Sequence, residues 1–218
     1  HSSYFVLLAG RRILIDPVFS PFAAPVSFST RAFDGTNLYA ADDMPPIDVL
    51  LITHDHWDHL DHATVTALES KVRRVFVPLG IGAHFEYWGY AREKIHEADW
   101  FEKLELDGGL VIHAVPARHY SGRWLTRNKT LWAGFVLESD QRRLLFSGDT
   151  GYGPHFEELA RKFGGFDLAA LDMGQYDPRW PYIHMTPEEA ARAAEELRTK
   201  ALLPAHVGRF SIARHAWD

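Results

Sequence analysis

The chain has 218 residues, 46% hydrophobic and 24% charged, which fits a single domain with a sizeable core. A formal net charge of −6 argues against nucleic acid as a partner, because that role needs a positive surface field. There is no cysteine, so disulfides and thiolate metal ligands are excluded and a reducing, cytoplasmic setting is expected.

Residues 4–8 and 11–15 are short apolar runs around Ala9-Gly10 and read as a β-hairpin closed by Asp16-Pro17. Residues 18–46, rich in Pro, Ser, Phe and Ala, lack a period and read as a long ordered loop. Its Phe19, Phe22, Phe28 and Phe33 could line an apolar entrance or pack inward. Residues 49–53 form a buried strand, 63–70 a short helix, 75–77 a strand and 82–88 a second short helix. Strand signals follow near 100–106, 110–115, 131–137 and 143–146. Residues 154–163 read as a helix with Pro154 in its first turn, and 166–171 as an apolar strand. Thr186-Pro187-Glu188-Glu189 carries a capping box for a helix to about Thr199, before a last strand at 202–204. No apolar run approaches the roughly 20 residues of a membrane span. No signal peptide is visible, but both ends look trimmed, so export stays open.

The chemistry gathers where the strand at 49–53 ends. His54-Asp55-His56-Trp57-Asp58-His59-Leu60-Asp61 places three histidines and three aspartates in one loop. On an extended backbone alternate residues share a side, so His54 and His56 can grip one metal ion, while Asp58 and His59 can face a second. His119, Asp149 and His206 each follow a strand, where α/β proteins commonly place their sites, and Gly148 and Gly151 let the backbone around Asp149 turn. Composition alone leaves each of the three open between ligand and ordinary strand-end residue. Asp16 and Asp61 are candidate acceptors for ligand imidazole N–H groups, or simple turn and cap aspartates. His62, His84, His96, His113, His155 and His215 have no supporting spacing.

The motif His54-x-His56-x-Asp58-His59 resembles the signature of the metallo-β-lactamase superfamily. Later segments match in order: Pro-Ala-Arg-His-Tyr-Ser-Gly-Arg at 116–123, Gly-Asp-Thr-Gly-Tyr at 148–152 and Phe-Asp-Leu-Ala-Ala-Leu at 166–171. Tyr-Asp-Pro-Arg-Trp at 176–180, His-Met-Thr-Pro-Glu-Glu-Ala at 184–190 and Ala-His-Val-Gly-Arg-Phe at 205–210 complete the series. Together they are similar to the branch holding N-acyl-phosphatidylethanolamine phospholipase D and, more distantly, ascorbate-6-phosphate lactonase. His1-Ser2-Ser3 resembles the family's Gly-His-Ser segment, and relatives usually continue beyond Trp217-Asp218.

The resemblance implies an α/β fold, an αββα sandwich of two mixed sheets flanked by helices, formed by residues 1–218 as one hydrolase domain. It implies two divalent ions, zinc first, with manganese or iron acceptable to the same ligands. His54, His56 and His119 would hold one ion, Asp58, His59 and His206 the other, and Asp149 would bridge them. A bridging hydroxide would attack phosphorus or a carbonyl carbon, with Asp58 orienting it. His184 stands where phospholipase-type relatives carry an active-site histidine, just before a capped helix N-terminus that favours anions. Arg123, Arg179 and Tyr176 lie inside matching motifs and are the expected substrate contacts. The leading substrate is a phosphodiester or other anionic phosphate, of a small molecule or a lipid, with peripheral membrane contact allowed and oligomeric state open. A lactone or carboxylic ester hydrolase on the same site is the alternative. A non-catalytic metal-binding module is the rival of another class, and it predicts a broken ligand set.

Overall fold

Ala9 and Gly10 both adopt left-handed backbone, with φ of 48° and 72°. Two successive positive φ values define the tight turn whose twist suits a two-residue hairpin. The turn sets the register of β1 (Tyr4–Leu8) against β2 (Arg11–Ile15), from Leu8 opposite Arg11 to Tyr4 opposite Ile15. A computed structural model describes residues 1–26 and 29–213 of the chain, so Phe28 and His215 lie outside the described residues. Those described fall into two compact units: residues 1–99, 121–132 and 209–211, and residues 100–120, 133–208 and those from 212 on.

The first unit continues with β3 (Ile47–Leu51), α1 (His62–Leu68), β4 (Val72–Pro78), α2 (Gly82–Tyr87) and β5 (Ile95–Ala98). Its sheet runs in the order β1-β2-β3-β4-β5, antiparallel at the hairpin and parallel thereafter. Parallel neighbours need crossovers, and α1 and α2 supply two of them. Leu14, Leu50, Val75 and Val77 on one face pack with Val65 and Leu68 of α1 and with Ile81 and Phe85. Ile13, Ile15, Val49, Leu51 and Phe76 are buried too, as parallel strands require. The β2–β3 crossover is the long loop, ordered around one short 3-10 turn at Ala41–Asp43. Phe19 packs against the core of this unit, Phe22 bridges to Arg31, and Phe33 is exposed, so these three phenylalanines do not share one surface.

The second unit holds β6 (Lys103–Leu106) and β7 (Leu110–Val115). The first unit is then completed by a two-stranded hairpin, β8 (Gly122–Arg123) and β9 (Thr126–Arg127). The second unit resumes with β10 (Gly134–Glu138), β11 (Arg143–Phe146), α3 (His155–Phe163), β12 (Leu168–Asp172), α4 (Pro187–Glu196) and β13 (Leu202–Ala205). The sheet order is β13-β12-β11-β10-β7-β6, an antiparallel meander passing into parallel strands. Phe156, Leu159 and Phe163 of α3 and Ala190, Ala193 and Ala194 of α4 bury their apolar stripes with Val136, Leu145, Ala169 and Leu171 of the sheet. The capping box forms as expected: Glu189 N–H donates to Thr186 Oγ1 at 3.2 Å and Thr186 N–H to Glu189 Oε2 at 3.0 Å. Pro154 caps α3 from just outside rather than sitting in its first turn. Mixed sheets carrying helices in both units place the chain in the expected α/β class.

Phe85 is fully buried in the first core and meets Tyr90 edge-on at 4.9 Å, while the Tyr90 hydroxyl donates to Val65 O at 2.7 Å. Phe85→Ala empties that junction of α1, α2 and the sheet. We expect a loss of about 3–5 kcal/mol in a urea unfolding titration, and a loss under 1 kcal/mol would show that the site collapses freely.

Candidate metal centre

Strand direction sets where the chemistry lies. In the first unit β2 and β3 run parallel, and Asp16 and the His54–Asp61 loop follow their C-terminal ends. In the second unit β7 is antiparallel to β10, which is antiparallel to β11, while β12 and β13 run parallel to β11. Four strands therefore end on one edge, and His119, Asp149, Asp172 and His206 stand at or just past those ends. Loops beyond the carboxyl ends of parallel strands are where open α/β sheets build sites.

In the first unit, Asp16 is 2% exposed and held at φ 43°. Its carboxylate accepts the Thr53 N–H at 2.7 Å and the Thr53 hydroxyl at 2.6 Å, and its Oδ2 meets His59 Nδ1 at 2.7 Å. Because the Thr53 hydroxyl donates to Asp16, it accepts from His54 Nδ1, 3.0 Å away. One buried carboxylate thus fixes both His59 and His54 through Nδ1 and leaves each Nε2 turned outward. His54 Nε2 comes to 2.9 Å from His56 Nδ1, an approach that suits two nitrogen donors sharing a cation. Asp58 Oδ2 lies 3.5 Å from His59 Nε2 and 3.4 Å from the buried imidazole of His1, whose ring meets Phe210 edge-on.

The loop is braced from behind. Asp55 Oδ1 accepts the Gly122 N–H at 2.7 Å, and Arg123 Nη1 donates to Asp55 O and Leu60 O at 3.0 and 2.9 Å. The Arg123 guanidinium lies 3.7 Å over the Trp57 ring, and burial lowers its pKa to about 10 against the pull of Asp55 and Asp61. Expected as a substrate contact, Arg123 is 6% exposed and committed to the backbone of the ligand loop. Asp61, just before α1, accepts the Ser20 N–H at 3.0 Å and the Thr64 hydroxyl, and its side chain makes no cap hydrogen bond to the helix backbone.

In the second unit, Asp149 Oδ2 stands 3.2 Å from His206 Nε2 and 3.8 Å from His119 Nε2. His119 Nδ1 is turned to Ile183 O at 3.0 Å, so its Nε2 faces Asp149. Gly148, at φ 60°, makes the turn before Asp149, whereas Gly151 serves closeness: a Cβ there would strike the Tyr182 backbone. His206 itself holds φ 63°, strained for a residue with a side chain and a mark of functional positions. His184 Nδ1 is 2.7 Å from Asp172 Oδ2, and the His184 and His206 rings stack. Asp149, Asp172, His184 and His206 each offer one ligand atom, all within 4.8 Å of one another. Burial opposes ionisation of Asp172, but His184 and His206 outweigh it and hold its carboxyl below the ordinary range. Tyr176 is half-buried, and Arg179 is exposed with its guanidinium in a two-pronged pair with Asp177 at 2.8 and 2.6 Å.

Sequence reasoning missed Asp55, Asp172 and His1. Asp172 closes an apolar strand as Asp16 does, and that shared pattern was the available signal.

These donor sets fit divalent metal ions: imidazoles anchored through one ring nitrogen and carboxylates presenting oxygen, with no thiolate.

The β-lactamase superfamily domain model matches residues 11–207. An uncharacterized protein of Mycobacterium tuberculosis is 42% identical over 223 residues, covering 100% of this chain and 59% of its own length. An N-acyl-phosphatidylethanolamine-hydrolyzing phospholipase D of Caenorhabditis elegans is 31% identical over 224 residues, covering 97% of this chain and 63% of its own. The chain thus spans less than two thirds of these curated relatives. The solved structure of a metallo hydrolase from Ignicoccus hospitalis shares the fold, with a TM-score of 0.69 at 24% identity over 95% of this chain and 79% of that one.

Behind the Asp149 loop, His155 Nε2 lies 3.3 Å from the Thr150 hydroxyl. Burial, helped by the charge of Arg118, depresses the His155 pKa to about 4. The unfolded chain takes up this proton near pH 6.5 and the folded chain does not, so stability from neutral His155 is full above 6.5 and drains away as pH falls toward 4. His155→Gln should flatten the pH dependence of the urea midpoint in that window, and an unchanged slope would remove His155 from the account.

Proposed function

The chain belongs to the β-lactamase superfamily, and from that premise we propose that it is a metal-dependent hydrolase that cleaves phosphodiesters at a centre of two divalent ions. The observation that carries this reading is the buried meeting of His206 Nε2 and His119 Nε2 on one oxygen of Asp149, at 3.2 and 3.8 Å. Following the superfamily pattern, His54, His56 and His119 would hold one ion and Asp58, His59 and His206 the second, with Asp149 as the carboxylate shared by both. Residues 1–218 then act as one hydrolase domain, in keeping with a family match that draws on both units. The ligand set has no gap, which disfavours a non-catalytic module. Zinc is the expected ion, and manganese or iron suits the same donors.

Bound there, such ions supply hydroxide at neutral pH and neutralise charge developing on the electrophile's oxygens. The protein's side chains do the rest. Asp58 accepts a hydrogen bond from the attacking oxygen and aims it. His184, anchored through Nδ1 on Asp172, has Nε2 to donate a proton to the departing alkoxide. Arg179 offers a fork that a phosphate can take over from Asp177, with Tyr176 beside it in sequence. Arg123 works through the ligand loop it braces.

A phosphodiester is favoured over a carboxylic ester or lactone by the Caenorhabditis elegans relative, whose name states hydrolysis of a phospholipid. Among the described residues no helix is long and apolar enough to cross a membrane. The β8–β9 hairpin carries Trp124 and Leu125 at its tip, 72% and 102% exposed, and supports peripheral contact with a lipid surface.

The test compares bis(p-nitrophenyl) phosphate, an alkyl aryl phosphodiester and a small lactone panel on the metal-loaded protein and on His184→Gln. Diester cleavage is expected. The variant should lose about 10²–10⁴-fold in kcat on the alkyl leaving group and far less on p-nitrophenolate, which needs no proton. Turnover of lactones with inert diesters would overturn the phosphodiester reading in favour of an ester or lactone hydrolase.

A further inference from the structure

Asp172 is the last residue of β12 and is fully buried. Nothing in the superfamily motif calls for it, and the site assigned above uses neither of its oxygens as a ligand. Its surroundings are specific. Oδ2 meets His184 Nδ1 at 2.7 Å and accepts the Thr150 N–H at 3.2 Å, while Oδ1 lies 3.5 Å from His206 Nδ1. The Asp172 N–H donates to Ser147 Oγ at 3.1 Å, which ties the strand end to the turn before Asp149. The two imidazoles it faces stack with centroids 5.2 Å apart and planes within 9°.

We propose that Asp172 is a positioning residue that holds His206 and His184 as a matched pair, each carrying a proton on Nδ1 with Nε2 turned away from the carboxylate, as a lone pair on His206 and free to take and give a second proton on His184. This rests on the functional reading above, in which His206 is a ligand and His184 a proton donor. The argument is one of hydrogen-bond inventory. A carboxylate only accepts, so a ring nitrogen held against it must carry hydrogen. Each oxygen faces one ring, Oδ2 in a hydrogen bond with His184 Nδ1 and Oδ1 at the longer, ion-pair distance of 3.5 Å from His206 Nδ1, and the two ring planes are nearly parallel. The first unit uses the same device, with Asp16 serving His59 directly and His54 through Thr53. In the second unit the pair joins different roles, so one side chain couples ion retention at His206 to the aim of His184.

Asn separates the two demands. Its single oxygen is claimed by the position that faces both the Thr150 N–H and His184, which leaves its amide N–H₂ against His206. A donor there forces the His206 proton onto Nε2 and removes the lone pair that would hold an ion.

The experiment is imidazole ¹H–¹⁵N NMR on histidine-labelled protein, with chelator competition for zinc. In zinc-loaded wild type, His184 and His206 should both show Nδ1–H signals. Asp172→Asn should keep the His184 signal, lose that of His206, and bind zinc about 10–100-fold more weakly at one of its sites. Asp172→Ala should lose both signals. The His184 signal is read with and without zinc, so this arm stands apart from metal uptake and from any hydrolytic assay. A wild-type ring carrying no proton on Nδ1 at either residue would overturn the proposal without any variant. So would Asp172→Asn zinc affinity equal to wild type in a protein whose backbone spectrum is unchanged.

Discussion

An imidazole has two nitrogens, and whichever is held by a buried carboxylate decides where the other one points. Asp16 and Asp172 impose that constraint on His59 and His184, each held at 2.7 Å, and Asp16 extends it to His54 through the Thr53 hydroxyl. Each carboxylate is almost wholly shielded from water, where a hydrogen bond to a charged group is strong and leaving it unmade is costly. These hydrogen bonds fix the rings, and in the proposed centre an ion would meet lone pairs that need no reorganisation.

The fold delivers these carboxylates by strand register. Asp16 leaves β2 where its N–H still donates to Leu51 O of β3 at 3.0 Å, one step before the His54 loop. Asp172 pairs in register with Ala205, so the residue after β13, His206, is brought beside it. Asp16 and His206 both sit at positive φ, a local cost of order 1 kcal/mol that surrounding packing over-determines. Arg123 adds a second kind of rigidity. By donating to two carbonyls of the ligand loop and lying over Trp57, it keeps a polar, turn-rich segment from relaxing toward solvent.

Much of this was legible in the chain itself. The Ala9-Gly10 turn, the Thr186 capping box and the strand at 110–115 follow from local chemistry and appear as read. The β8–β9 hairpin, two residues a strand, was too short to show a period, and β5, with two half-buried residues between two buried ones, gives no clean alternation. The His54–Asp61 loop declared itself by density of donors. His119, Asp149 and His206 did not, because a single polar residue after a strand is common, and only the motif series singled them out. Asp172 stayed hidden for a different reason. It ends an apolar run and touches His184 and His206, 12 and 34 positions further along the chain, so its role depends on sheet register and on the entry into α4.

The proposed hydrolysis depends on a dinuclear centre in which Asp149 would be shared. The direct measurement is metal content after reconstitution with zinc, manganese or iron and removal of loose ions, on the wild type and on Asp149→Ala. About two ions per chain in the wild type, falling to one or none in the variant at unchanged fold, is the predicted result. A wild type that retains no metal, or a variant that retains as much as the wild type, would contradict it.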